Sequence, residues 1–243
     1  MSRVLILGAA SDTARAFAHR YAENGFDLYL AAHKPEDVSG DESDIKIRYR
    51  VDVETIKCDV TDFASHDEFY GRLNPKPDGV VCFAGYTAEQ ETAQKKFDES
   101  KKIIETNYTG YVSLLNIIAN DFESRREGFI IGVSSVAGDR GRKSNYIYGS
   151  AKAGFTAYLS GLRNRLYKSG VQVLTVKPGF LLTKMTDGTN LPKKLTVNPR
   201  EAAQDIFEAQ RKGKDIIYTK WFWRFIMAAI ACIPENIFKR MKF

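Results

Sequence analysis

Short apolar runs recur along the chain, each followed by a stretch with polar and apolar positions at helical spacing. Arg3 to Leu7, Asp27 to Ala32, Thr55 to Cys58, Gly79 to Phe83, Phe129 to Val133, Gly170 to Val176 and Asp215 to Tyr218 are each as long as a buried strand. Between them, GAASDTARAFAHRYAENG predicts a turn and a helix ending near Gly25. Thr61 or Asp62 is expected to cap a helix toward Leu73, and Gln90 to Ser124 reads as a long helical region. Asn198 is expected to cap a helix from Pro199 to about Lys212, with proline in its first turn. Pro35 to Val53 is charged and reads as a short, loosely formed crossover; Lys184 to Pro199 is polar and glycine-containing, as a mobile substrate lid would be. Strands alternating with helices imply an α/β fold built on a doubly wound parallel sheet. Residues 1–219 form one domain on this reading, and 220–243 a helical tail that is not a domain of its own.

Composition narrows the class without choosing a function. The chain has 243 residues, enough for one large α/β domain, and an apolar fraction of 44% with mixed charge, as in a globular protein. Cys58, Cys82 and Cys232 lack metal-ligand spacing, so no metal site is expected and a reduced, cytoplasmic setting is. No apolar run reaches the roughly 18 residues of a spanning helix. The net charge of +6 suits an anionic cofactor or a membrane surface and is too dispersed to argue for nucleic acid.

The chemistry concentrates in FIIGVSSVAGDRGRKSNYIYGSAKAG, Phe129 to Gly154. An apolar strand ends in Ser134 and Ser135, a loop rich in Gly, Asp, Arg and Lys follows, and a helix then carries Tyr148 and Lys152 on one face. An ammonium beside a phenol lowers its pKa from the ordinary ~10 and makes an acid usable near neutral pH. Tyr-x-x-x-Lys alone is common; the context makes it specific. Ser135 lies thirteen residues before Tyr148, and Asn107 lies in a preceding helix. Together these motifs resemble the short-chain dehydrogenase/reductase family along most of the chain. The resemblance implies a Rossmann-type sheet of about seven strands, a nicotinamide cofactor, and a catalytic set of Asn107, Ser135, Tyr148 and Lys152. In that set the Asn carbonyl holds a water linked to the lysine. A homo-oligomer is the usual assembly.

The other candidate contacts lie along the predicted cofactor edge. The turn after the first strand, with Gly8, Ala10, Ser11, Asp12 and Thr13, leads into a helix N-terminus, whose N–H groups and dipole favour a phosphate. Asp12 and Ala14 stand where the family carries its second and third glycines; Asp12 is expected to point away or cap the helix. An acidic residue closing the second strand would select NAD. His33 and Lys34 stand there instead, so NADP(H) is favoured, with NAD(H) as the alternative. The resemblance adds Asp59 and Val60 for adenine and Ala84 and Gly85 for close backbone approach. It also adds Pro178, Gly179 and Thr183 for the loop over the nicotinamide.

The tail KWFWRFIMAAIACIPENIFKRMKF carries Lys220, Arg224, Lys239, Arg240 and Lys242 against Glu235 alone. With Trp221, Phe222 and Trp223 it suits the interface of a bilayer, and the competing expectation is that it packs on protein. The wording of SSVAGDRGRKSNYIYGSAKAG and VLTVKPGFLLTKMT resembles one branch of the family, the reductases of a polyprenyl-phosphate-linked (decaprenylphosphoryl) 2-keto-pentose. The resemblance therefore implies a ketone reductase, with a lipid-linked keto-sugar as the expected substrate. A generic carbonyl or 3-oxoacyl-carrier-protein reductase is the alternative. A non-catalytic dinucleotide sensor would need none of the four catalytic residues.

Overall fold

In a computed structural model, which describes residues 2–183 and 192–241, the expected strands form a parallel sheet, and two further short strands pair apart from it. The strands are β1 (Arg3–Leu7), β2 (Asp27–Ala32), β3 (Val53–Lys57), β4 (Gly79–Cys82), β5 (Phe129–Val133) and β6 (Gln172–Pro178), with β7 (Phe180–Leu181), β8 (Thr196–Val197) and β9 (Ile216–Thr219). Seven of them form one parallel sheet in the order β3-β2-β1-β4-β5-β6-β9, while β7 and β8 pair separately. The helices are α1 (Asp12–Glu23), α2 (Ser39–Tyr49), α3 (His66–Arg72), α4 (Gln90–Ala93), α5 (Phe97–Ile104), α6 (Gly110–Arg125), α7 (Tyr146–Leu166), α8 (Pro199–Arg211), α9 (Trp223–Cys232) and α10 (Glu235–Phe238).

The strands are apolar without interruption because both faces of the sheet are covered. Alternate residues of β1 divide between two cores. Val4 and Ile6 pack with Phe17 and Tyr21 of α1, Ile45 of α2 and Phe207 of α8. Leu5 and Leu7 pack with Tyr111 and Leu115 of α6 and Phe155 and Leu159 of α7. The chain runs outward through β1, β2 and β3, then returns to the other side of β1 with β4. The crevice at that reversal, beyond the carboxyl ends of the strands, is where such sheets bind ligands.

Several local expectations are corrected. The charged 35–53 stretch contains a real helix, α2, held at its middle by one fully buried side chain, Ile45. A single anchor leaves little apolar periodicity to read. Neither Thr61 nor Asp62 caps α3: a short turn at Phe63–Ser65 intervenes and no side chain caps the helix. The Thr61 hydroxyl instead donates to Asp59 Oδ1 at 2.7 Å. The long helical region is interrupted at Glu105–Thr109 by a widened π-type turn, and Asn107 sits in it. Asn198 does cap α8, its side chain accepting from Glu201 N at 2.9 Å with Pro199 next in sequence. Of the expected lid, residues 184–191 lie outside the described residues.

The tail joins the body. Trp223 and Met227 of α9 are buried against Val136, Phe180, Leu195 and Tyr218. Trp223 Nε1 donates to Leu195 O at 3.2 Å, and its ring fills the space where a side chain on Gly179 would stand. Trp223 is therefore not available to a bilayer, contrary to the expectation that counted it there. Trp221 and Phe225, on the other side, are 73% and 63% exposed. Among the described residues no helix is long and apolar enough to cross a membrane.

Candidate active site

A cleft of about 470 Å³ opens at the carboxyl edge of the sheet, at the reversal point. One wall is the turn after β1 and the first residues of α1: Ala10, Ser11, Asp12 and Thr13. Gly8 begins this turn with φ +78°, and a Cβ there would overlap the backbone of Ala84. A residue without a side chain is what lets the ends of β1 and β4 approach this closely. Ser11 caps α1, its Oγ accepting from Ala14 N at 3.2 Å, so the capping role expected of Asp12 falls to its neighbour. Asp12 instead opens the helix and lines the cleft. The first N–H groups of a helix have no partner within it, so this wall presents a positive dipole end.

The opposite wall is built from side chains. Ser135, Tyr148 and Lys152 all line the cleft, with Gly85, Pro178, Gly179 and Thr183 around them. Their placement has an explicit cause: Ser134 Oγ donates to Lys152 O at 2.9 Å and shares a 2.7 Å hydrogen bond with Thr156 Oγ1, which pins α7 to the end of β5. Ser135 Oγ accepts from Ala137 N at 3.1 Å, fixing its rotamer. Lys152 is buried, with Nζ donating to Val133 O at 3.0 Å and lying 5.7 Å from the centre of the Tyr148 ring.

The electrostatics differ from the expectation of a depressed phenol. Burial pushes Tyr148 up to about 12, with the Ser135 hydroxyl acting against that shift. Burial also pushes Lys152 down to about 8. Desolvation disfavours the charged form of each group and is the largest cause of both shifts, opposed by the Ser135 hydroxyl at Tyr148 and by Cys82 at Lys152. Part of the Tyr148 surface stays open to the cleft, so water there softens its shift. Tyr148 is thus a protonated acid at neutral pH, beside a cation held at some electrostatic cost.

Asn107 is fully buried; its Nδ2 donates to Tyr86 O at 2.6 Å and Ile103 O at 2.8 Å, while Oδ1, next to Gly85, has no partner. A π-type turn carrying an unsatisfied buried acceptor is a common mark of a functional position. Ala84 stands just behind the cleft, its carbonyl accepting from the Tyr111 hydroxyl at 2.5 Å.

His33, Lys34, Asp59 and Val60 stand farther along the same edge, outside the cleft lining. His33 Nδ1 lies 3.1 Å from Asp59 Oδ2. Asp59 Oδ1 accepts from Thr61 N at 2.9 Å, and the Thr61 bonds and the His33 charge hold the carboxyl below its ordinary value. Lys34 is exposed and forms no ion pair among the described residues. Val60 is buried, and its carbonyl packs so closely on Gly110 that a side chain there would collide with it.

The residues present fit a dinucleotide. They offer a backbone cradle at Gly8, a helix N-terminus at Asp12, an exposed cation at the end of β2, and a buried ammonium beside a phenol. Sequence reasoning missed Phe83, Thr87, Val133, Val136, Ala137, Arg142, Asn145, Phe180 and Leu181, which also line the cleft. Arg142 and Asn145 lay within the quoted loop, but nothing in their spacing marked them. Among the described residues no cluster could hold a metal ion.

Comparison with known proteins agrees with this geometry. The family model for short chain dehydrogenases matches residues 2–194. An uncharacterised oxidoreductase of Mycobacterium tuberculosis is 31% identical over 98% of this chain and 96% of its own length. The 3-oxoacyl-[acyl-carrier-protein] reductase of Vibrio cholerae is 30% identical over 76% of each chain. A short-chain dehydrogenase from Sphingobium yanoikuyae, solved in complex with NADPH, superposes with a TM-score of 0.84 at 21% identity, covering 100% of this chain and 97% of that one.

Proposed function

The chain belongs to the short-chain dehydrogenase family of nicotinamide-dependent oxidoreductases, and from that premise we propose that it reduces a ketone to a secondary alcohol with NADPH. The observation that carries this reading is the convergence of Ser135, Tyr148 and a buried Lys152 in one cleft with the β1–α1 turn. When bound, the cofactor supplies the hydride to the carbonyl carbon. Tyr148 holds the proton and gives it to the carbonyl oxygen, and a phenol pushed up by burial is fully protonated for that step. Ser135, its oxygen fixed by Ala137 N, donates its hydroxyl proton to the same carbonyl oxygen and favours the developing negative charge. Lys152 provides positive charge beneath the phenol as the proton leaves. Asn107 fixes the wall behind Gly85 and offers Oδ1 for a water leading to Lys152.

Gly8, Ala10, Ser11, Asp12 and Thr13 hold the cofactor diphosphate on this reading; Ala84, Gly85, Pro178, Gly179 and Thr183 flank the nicotinamide; Asp59 and Val60 face the adenine. NADPH is favoured because His33 and Lys34 replace an acidic residue, and structural relatives from Sphingobium yanoikuyae and Burkholderia cenocepacia were solved with NADPH and NADP.

For the substrate, the proposal is a lipid-phosphate-linked keto-sugar, met at the cytoplasmic face of a membrane by a homo-oligomer. Support comes from the wording of the 134–154 and 173–186 segments and from exposed apolar side chains: Leu182, between the cleft residues Leu181 and Thr183, is 62% exposed, and Trp221 and Phe225, in ring contact with each other, are more than 60% exposed. The similarity to the Vibrio enzyme supports a second reading, a 3-oxoacyl thioester carried on a protein. A screen of ketones with NADPH and NADH tests the reaction, and sedimentation with anionic liposomes at low and high salt tests the surface. Absence of NADPH oxidation with every ketone would overturn the first, and indifference to liposomes at low salt the second.

A further inference from the structure

The loop between Ser135 and Tyr148 carries two arginines with opposite fates. Arg140 is fully committed: its Nη1 donates to Ile230 O at 2.8 Å and Ala231 O at 3.0 Å, its Nη2 pairs with Glu235 at 2.9 Å, and its guanidinium lies 3.8 Å from the centre of the Phe238 ring. It fastens the end of the tail to the body. Arg142 lines the cleft, half-buried, and among the described residues its side chain makes no hydrogen bond and no ion pair. Its Nε is buried without a partner. Burial pushes the guanidinium below its ordinary value, opposed by the field of Asp139 alone. Asp139 is engaged elsewhere, paired with Lys177 and accepting from the Tyr218 hydroxyl at 3.0 Å. Three residues on, Asn145 also lines the cleft, and its Oδ1 is buried without a donor.

A guanidinium withdrawn from water with no counter-charge is costly unless an anion arrives. Its planar fork matches a phosphoryl or carboxyl group. Both Arg142 and Asn145 belong to the segment that delivers Tyr148, across the cleft from the β1–α1 turn, so the anion sits on the ketone side. Asn145 Oδ1 needs a donor, which an anion cannot supply and a hydroxyl can. We propose that Arg142 is a specificity-determining residue that binds an anionic group on the ketone substrate, with Asn145 accepting from a hydroxyl of the same molecule. This rests on the cleft being a ketone-reduction site.

The test uses the full chain saturated with the reduced nicotinamide it binds, so that the diphosphate wall is occupied. Matched ketones are compared: dihydroxyacetone phosphate against dihydroxyacetone, and acetoacetate against its methyl ester. The wild type is expected to prefer the anionic member of at least one pair by about tenfold or more in kcat/KM, mostly through KM, as loss of a charge-assisted hydrogen bond implies. The pair that shows the preference distinguishes a phosphoryl from a carboxyl group. In Arg142→Gln the ratio should collapse toward unity, and Arg142→Lys should restore part of it; a merely structural role would lower activity on both members alike. Equal use of both members of both pairs by the wild type, or an undiminished preference in a folded Arg142→Gln protein, overturns the inference. Phosphorus NMR of dihydroxyacetone phosphate with the same proteins separates the two readings. Arg142-dependent line broadening without any reduction would sink the reductase reading and keep the anion site. Reduction of neutral ketones with no broadening and no preference for acetoacetate over its ester would do the reverse.

Discussion

The two walls of the cleft are made of different material. The wall at Gly8–Thr13 is made by backbone: a positive-φ glycine against Ala84 and a helix N-terminus capped by Ser11. The wall at Ser135, Tyr148 and Lys152 is made by side chains whose rotamers are fixed by neighbours such as Ala137 N and Val133 O. A backbone site tolerates changes of residue type wherever the dihedral angles and clearances survive. That is why Asp12 and Ala14 can replace glycines while the turn keeps its shape. A side-chain site has no such freedom, because the reacting atoms are themselves the side chains.

The contrast is sharpest if Tyr148→Phe is made. Reduction should fall by about 10²–10⁴-fold, the usual scale for a lost general acid, while cofactor binding measured by fluorescence stays within a few-fold. Normal turnover in that variant would remove Tyr148 from the mechanism. Trp223→Ala probes what supports the side-chain wall from behind. Losing a buried aromatic next to Gly179 and Phe180 should cost about 3–5 kcal/mol in a denaturant titration; a change below about 1 kcal/mol would mean that α9 is only loosely attached. Gly8→Ala attacks the backbone wall. Strain at φ +78° and overlap with Ala84 should cost about 2–4 kcal/mol, shared between stability and cofactor affinity. Asp12→Gly, by contrast, should change cofactor affinity little.

The titration of Lys152 separates function from stability. Its pKa lies near 8 in the folded protein and at 10.5 ordinarily. As pH rises through about 8 the folded protein loses the ammonium beneath Tyr148, so kcat/KM should decline. Between about 8 and 10.5 the unfolded chain binds the extra proton, so this group's contribution makes stability rise over the same window. Lys152→Met should abolish both trends, and an activity profile that is flat to pH 10 would contradict the assignment. The smallest effect is expected at the exposed end of the backbone wall. His33→Asp with Lys34→Ala should lower the preference for NADPH over NADH by about tenfold or less, since both side chains are well solvated. Equal affinity of the wild type for both cofactors would dispose of that preference.

The repeating pattern of apolar runs determined the doubly wound sheet, because a parallel strand buried on both faces must be continuously apolar. The Ser135, Tyr148, Lys152 spacing was legible because a strand end and one helical turn fix where those side chains start. The sequence did not show which way burial would move the pKa values, since that depends on atoms from β5, α7 and the following loop closing over the pair. Nor could composition divide the tail. Trp221 and Trp223 are the same residue two positions apart, and only the docking of α9 against Phe180 and Leu195 buries one and exposes the other. Arg140 and Arg142 are alike in the same way: one meets the carbonyls at the end of α9, and the other meets the cleft. Local pattern fixes the period and the position of a side chain, and its partners come from segments far away in the chain.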